Sequence, residues 1–168
     1  MTASITGSQL TEGEQRALRA WFRRHWETGV DFNRECGMRV LRWEADGVDI
    51  ALPYADELSA HDRIFHGGVI SALIDTAGGG SVLAGHDFAK GSRLSTVTMS
   101  VQYLLPARGP EVVAHARCVR RGASLHFADV EVRGRDGATC ARGQVAVRVA
   151  GERPGIGDIL DELREGQR

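Results

Sequence analysis

From Gly68 to about Ala84 the chain is apolar almost all round: Val69, Ile70, Ala72, Leu73, Ile74, Ala77, Val82 and Leu83 leave no polar face. A helix of this kind must be buried on most sides, so the remaining chain has to wrap it. Gly78-Gly79-Gly80 interrupts it, and each glycine costs about 1 kcal/mol against alanine inside a helix. The helix persists only if close backbone packing against a sheet or a second helix compensates. Two features within this segment carry chemistry. It opens with His66-Gly67-Gly68, and it holds one carboxylate, Asp75. An ionised side chain in an apolar helix is costly unless something pairs or uses it.

The flanking sequence supplies the wrapping. Thr11-Glu12-Gly13-Glu14 is a capping-box pattern, followed by Leu18, Trp21, Phe22, His25 and Trp26 at helical spacing up to Gly29. Met1 to Gln9, small and polar, is expected to fray. Arg39 to Trp43 and Val48 to Leu52 flank the turn Asp46-Gly47, a hairpin signal. After Ser92 the chain alternates: Val97, Met99, Val101 and Tyr103 share one strand face, with Thr96 on the other. Pro106 to Pro110 reads as a turn, Val112 to Arg120 and Leu125 to Arg133 as strands, and Ala141 to Val149 as the last strand after Asp136-Gly137. These four strands predict an antiparallel meander. Gly151 to Gly157 is a linker and Asp158 to Arg164 a short polar helix. The fold class is α+β, one antiparallel sheet wrapped around a long central helix, with residues 1–30 as an appended amphipathic helix, 31–150 as the domain and 151–168 as a C-terminal linker and helix. A lone sheet with one helix leaves an open edge, so association with another copy is expected.

A formal charge of −1 argues against nucleic acid or an acidic membrane surface as partner. No apolar run reaches 18 residues, and no basic, apolar signal pattern opens the chain. Cys36, Cys118 and Cys140 are odd in number and lack C-x-x-C spacing, as expected of reduced thiols in a cytoplasmic protein. No HExxH, no paired Cys/His spacing, no GxSxG and no P-loop lysine occurs, so neither metal nor cofactor is expected.

What remains is an acyl-transfer arrangement. Gly67 and Gly68 put backbone N–H groups, unguarded by side chains, at the mouth of a helix, where a carbonyl oxygen could be held. Asp75, seven residues after Gly68 and four after Ser71, lies on the same helical face. It could deprotonate a water or attack a carbonyl itself; it could also be an exposed helix residue, or a carboxylate satisfied by a serine or threonine. His66 alone reads more readily as a local hydrogen-bonding residue.

The run H-G-G-V-I-S-A-L-I-D from His66 to Asp75, followed by S-T-V-T-M-S-V-Q-Y-L-L-P-A from Ser95 to Ala107, resembles the hotdog-fold thioesterases of the phenylacetate-pathway (PaaI-like) type. The likeness extends over roughly Met38 to Val149. It implies hydrolysis of an acyl-CoA thioester to a free acid and coenzyme A. It implies Asp75 as the catalytic carboxylate and the Gly67 N–H as the group polarising the thioester carbonyl. His66 would shape that end of the pocket, with Gly68 beside the substrate, and Thr96 would position the water or the carboxylate. It also implies a homodimer with Asp75 and Gly67 of different subunits in one site, a homotetramer of two such dimers, and coenzyme A phosphates near Arg120, Arg121 and Gly122. One position departs from the pattern. Where related enzymes often carry Asn or Gln, this chain has Ala60, followed by His61, which could substitute. Ala60 keeps open a non-catalytic acyl-CoA binding or sensing protein; a hydratase lacks the spacing it would need.

Overall fold

The computed structural model describes residues 5–166. Its elements are α1 (Glu12–Arg24), a π-helical turn (His25–Gly29), α2 (Asp31–Glu35), β1 (Arg39–Glu44), β2 (Gly47–Pro53), α3 (Gly67–Ala84), β3 (Leu94–Tyr103), β4 (Glu111–Arg121), β5 (Leu125–Gly134), β6 (Thr139–Val149) and α4 (Ile156–Glu165). The capping box closes as read. Thr11 Oγ1 accepts from the Glu14 N–H at 3.2 Å, and the Glu14 carboxylate accepts from the Thr11 N–H at 2.7 Å. The π-turn and α2 leave no signal in the apolar spacing; Asn33, buried in α2, ties them down by donating to Trp26 O at 2.7 Å.

All strand pairs are antiparallel in one six-stranded sheet, ordered β1-β2-β4-β5-β6-β3. The expected four-strand meander is only β4-β5-β6. β3 lies at the far edge beside β6, with Leu94 opposite Val149 and Tyr103 opposite Ala141. The Pro106 to Pro110 stretch is therefore a crossover, not a hairpin turn. It is anchored to the segment before α3, where Phe65 N–H donates to Ala107 O at 3.0 Å. Alternation identifies a strand but not its neighbour, and β3 finds one whose side places it along α3.

α3 packs on one face of the sheet and touches every strand. Ile70, Leu73, Ile74 and Ala77 meet Val48, Ile50, Leu52, Val130, Val132, Val145 and Val147 in the main core. The glycine run sits inside the helix because its neighbours come too close for a side chain. A Cβ on Gly78 would stand 2.8 Å from Val145 Cγ2, and one on Gly80 2.9 Å from Trp43 Cζ3. The same intimacy recurs from the sheet side, where a Cβ on Gly143 would lie 2.6 Å from Ile74 Cγ2. By length and composition α3 qualifies for crossing a membrane, with mean hydropathy 1.3. Burial against the sheet demands that same composition.

A second core lies over the C-terminal end of α3. Leu18 and Phe22 of α1 pack with Leu83, Phe88, Ile156 and Leu160. The C-terminal helix is thus amphipathic rather than polar, since Ile156 and Leu160 are its buried stripe. Residues 1–4 of the stretch expected to fray lie outside the described residues. The rest is held: Ile5 is buried, Thr6 N–H donates to Glu152 Oε1 at 2.6 Å and Gly7 N–H to Ala89 O at 2.8 Å.

Candidate active site

His66 is the N-cap of α3, extended at φ −60° and ψ 134°, and its Nδ1 accepts the Gly68 N–H at 2.9 Å. An accepting Nδ1 leaves the neutral ring's proton on Nε2. The next amides turn back as well: Val69 and Ile70 both donate to His66 O, at 3.0 and 3.2 Å. Gly68 is therefore occupied, whereas the Gly67 N–H has no acceptor among the described residues. One open donor stands at the positive end of the helix.

Further along the same face, Asp75 is half-buried and accepts from Thr96 Oγ1 at 2.8 Å through Oδ1. Strict alternation would have turned Thr96 away from the face that carries Val101 and Tyr103. A bulge resolves this. Thr96 stands opposite Val147 and Thr98 opposite Ala146, so Val97 is an extra residue that switches the phase of the strand. Leu94 and Thr96 before it, and Val101 and Tyr103 after it, all reach α3 or its core.

Tyr103 is the residue the sequence reading passed over. Its hydroxyl donates to Gly67 O at 2.8 Å and meets Ser71 Oγ in a short hydrogen bond. In the sequence it looks like one more member of an alternating strand; its partner is a backbone carbonyl, which no side-chain pattern reveals.

Beside Gly67 a largely apolar cavity of about 500 Å³ is lined by Ala60, His61, Ile70, Tyr103, Leu105 and Cys140. Ala60 offers it no polar group, while His61 does. The loop leading there passes through two consecutive non-glycine residues of positive φ, Asp62 at 49° and Arg63 at 56°, a costly conformation held by Arg108 Nη1 donating to Asp62 O at 2.6 Å. Gly67 and Asp75 are eight residues apart, about 12 Å along one helix axis.

The residues expected near coenzyme A phosphates divide. Arg121 Nη2 donates to Ser81 O at 3.1 Å and Ala45 O at 3.2 Å, fastening the last turn of α3. Arg120 and Gly122 line a shallow depression of about 690 Å³ with Val119, Ser124, Leu125 and Phe127. Among the described residues, no three His, Cys, Asp or Glu side chains gather as a metal site.

The family model of the thioesterase superfamily matches residues 63–141, a span that holds α3 and Thr96. The medium/long-chain acyl-CoA thioesterase YigI of Escherichia coli is 31% identical over 116 residues, covering 61% of this chain and 75% of that protein. A Halobacterium salinarum protein whose name places it among the esterases is 35% identical over 86 residues, 49% of this chain and 56% of its own, so the chain spans little more than half of that relative. Among solved structures, a Shewanella oneidensis protein related to the thioesterase superfamily superposes with TM-score 0.74 at 24% identity, covering 81% of this chain and 97% of that one. A thioesterase family protein from Silicibacter pomeroyi gives 0.72 at 22%, covering 79% and 98%. At these identities the two structures bear on the fold, a hotdog. Taken with the extent of the match to the E. coli enzyme, the chain belongs to the thioesterase superfamily of thioester hydrolases.

Proposed function

We propose that the protein hydrolyses an acyl-CoA thioester to a free carboxylic acid and coenzyme A, at sites each completed by a second copy of the chain. The observation that carries this is the spacing on α3. An open N–H donor and a partly buried carboxylate share one helix face but lie about 12 Å apart, too far to act on one carbonyl. A second α3 laid antiparallel across the first, crossing near Ser71, would bring Gly67 of each copy opposite Asp75 of the other. β3, the sheet edge flanking this face, exposes Val97 and Met99, as a surface awaiting a homodimer partner would. Two such dimers would make the homotetramer.

In such a site the Gly67 N–H and the helix dipole hold the thioester oxygen and stabilise the negative charge that develops on it. His66 contributes by fixing the first turn through Gly68. Asp75, with Thr96 occupying Oδ1, uses Oδ2 either to take a proton from the attacking water or to attack the carbonyl itself. The tetrahedral adduct then collapses, breaking the C–S bond and releasing coenzyme A as thiolate; this leaves the free acid in the first case and, in the second, an acyl-Asp75 anhydride that water then cleaves to the acid and Asp75. Label found in Asp75 after single turnover in ¹⁸O-water would establish the second route, since only cleavage of the anhydride at the Asp75 carbonyl puts solvent oxygen there. His61 supplies the polar group that Ala60 lacks. The apolar cavity beside Gly67 and the E. coli relative's name both favour a medium- or long-chain hydrocarbon acyl group. Arg120 and Gly122, which line the depression at the end of β4, are the first candidates for the coenzyme A phosphates, with Arg121 beside them already engaged by the Ser81 and Ala45 carbonyls. Three unpaired thiols fit a cytoplasmic setting.

The test is thiol release from an acyl-CoA panel by the native protein and by Asp75→Asn. We expect turnover to fall by about 10² to 10⁴-fold in the variant with its thermal midpoint and oligomeric state retained. Ala60 favours one second reading, a non-catalytic acyl-CoA binding protein. Saturable binding of acyl-CoA by the native protein without any thiol release would establish that reading instead.

A further inference from the structure

We infer that Tyr103 is a positioning residue for the reaction: its phenol hydroxyl, seated between Gly67 O and Ser71 Oγ, fixes the first peptides of α3 so that the Gly67 N–H points where the thioester oxygen must lie. The inference rests on the thioesterase reading above.

Glycine makes the problem. Gly67 and Gly68 leave the helix mouth open to substrate, but two successive glycines are also the most conformationally free start a helix can have. An oxyanion donor works only if it is already oriented, because reorganisation during the reaction cancels its benefit. His66 restrains Gly68 from the solvent side through Nδ1. Nothing on α3 restrains Gly67 beyond the regular ladder, which offers its carbonyl to the Ser71 amide. Tyr103 adds the missing constraint from another element. Its single hydroxyl proton goes to Gly67 O at 2.8 Å, so Ser71 Oγ must be the donor in the hydrogen bond between the two hydroxyls. The chain Ser71 to Tyr103 to Gly67 O thus closes a loop spanning one helical turn. The ring packs on Gly67 as well: a Cβ there would lie 3.5 Å from Tyr103 Cε1 and Cζ. Tyr103 also lines the cavity beside Gly67, so it stands at the site rather than behind it. The bulge at Val97 is what brings it inward on the same strand that carries Thr96 to Asp75.

The decisive variant is Tyr103→Phe, which keeps the ring and removes only the hydroxyl; Ser71→Ala removes the outer link of the same chain. Steady-state thiol release should show kcat lowered about tenfold in Tyr103→Phe, with KM changed less than about twofold, and a smaller drop in Ser71→Ala. Amide hydrogen exchange, followed by NMR on ¹⁵N-labelled protein, gives a readout independent of turnover. The Gly68 amide, bonded to His66, and the Ser71 amide, bonded to Gly67 O, should exchange several-fold faster in Tyr103→Phe, while amides in the middle of α3 keep their protection. Unchanged exchange at Gly68 and Ser71 would overturn the inference, as would native kcat or a loss confined to KM. Should the native protein release no thiol at all, the thioesterase reading fails, and the exchange measurement still decides whether Tyr103 orders the helix mouth.

Discussion

Thr96 and Asp75 share a hydrogen bond to an ionisable oxygen, a stronger interaction than one between neutral groups. Thr96→Val removes it while keeping the shape of a β-branched residue. We expect kcat to fall about tenfold with little change in KM, measured as thiol release at saturating acyl-CoA. A variant with native kcat would mean the carboxylate is held well enough by its own helix. The two principal groups of the proposed site are conspicuous in the sequence for a definite reason. A carboxylate in an apolar helix and a glycine pair at its mouth both violate local preference, and such violations stand out. Thr96 was placed by resemblance alone, and alternation pointed the other way. A single extra residue in a strand of Ser, Thr, Val and Met leaves no mark on the polar pattern. Tyr103 left still less, because nothing in its own residue type announces a bond to the carbonyl of Gly67.

At the level of elements, α3 is fixed by two close approaches to β6: Gly78 against Val145, and Gly143 against Ile74. Gly78→Ala would gain roughly 1 kcal/mol of intrinsic helix preference, but its methyl meets Val145 Cγ2 at 2.8 Å. Overpacking wins at such a distance, and a net loss of about 1 to 3 kcal/mol is expected from chemical denaturation. Pairing Gly78→Ala with Val145→Ala should recover part of it, since the added and removed groups occupy the same space. A Gly78→Ala protein more stable than the native one would show that helix and sheet can part at little cost. The glycine run had foretold this contact, whereas the order of strands had not. Both sheet edges are open to an alternating segment, and only the crossover anchored at Ala107 sends β3 to the side of β6. Helices α2 and the π-turn were equally silent, being held by Asn33 and by Trp26 Nε1 donating to Thr76 O at 2.9 Å rather than by an apolar stripe.

For the molecule as a whole, acid is the expected weakness. His86 and His126 are each buried to 2% exposure beyond the C-terminal end of α3, rings perpendicular at 5.4 Å. Burial first, and then His126 itself, push His86 down to about 4, against the Gly91 carbonyl and Asp87, which favour its charged form. Burial, Arg121 and Lys90 lower His126, whose ring nitrogens find no partner among the described residues. The unfolded chain takes up a proton near pH 6.5 that folded His86 refuses until about pH 4. Its stabilising effect is therefore complete above pH 6.5 and lost as the pH falls through that window, by about 3 kcal/mol at the lower end. Urea midpoints measured from pH 7 to pH 4 should fall steeply, and less steeply in His86→Phe. Equal slopes for the two proteins would sink this account. The phase switch at Val97 also binds two groups of the proposed site, Thr96 and Tyr103, to a single length of chain. Seven residues separate Thr96 from Tyr103, so a regularly alternating strand of the same length could present one or the other to the helix, but not both. The proposed site then depends on a count of residues, and one residue inserted between Thr98 and Val101, which alters no functional group at all, is expected to turn Tyr103 away from the helix and lower thiol release.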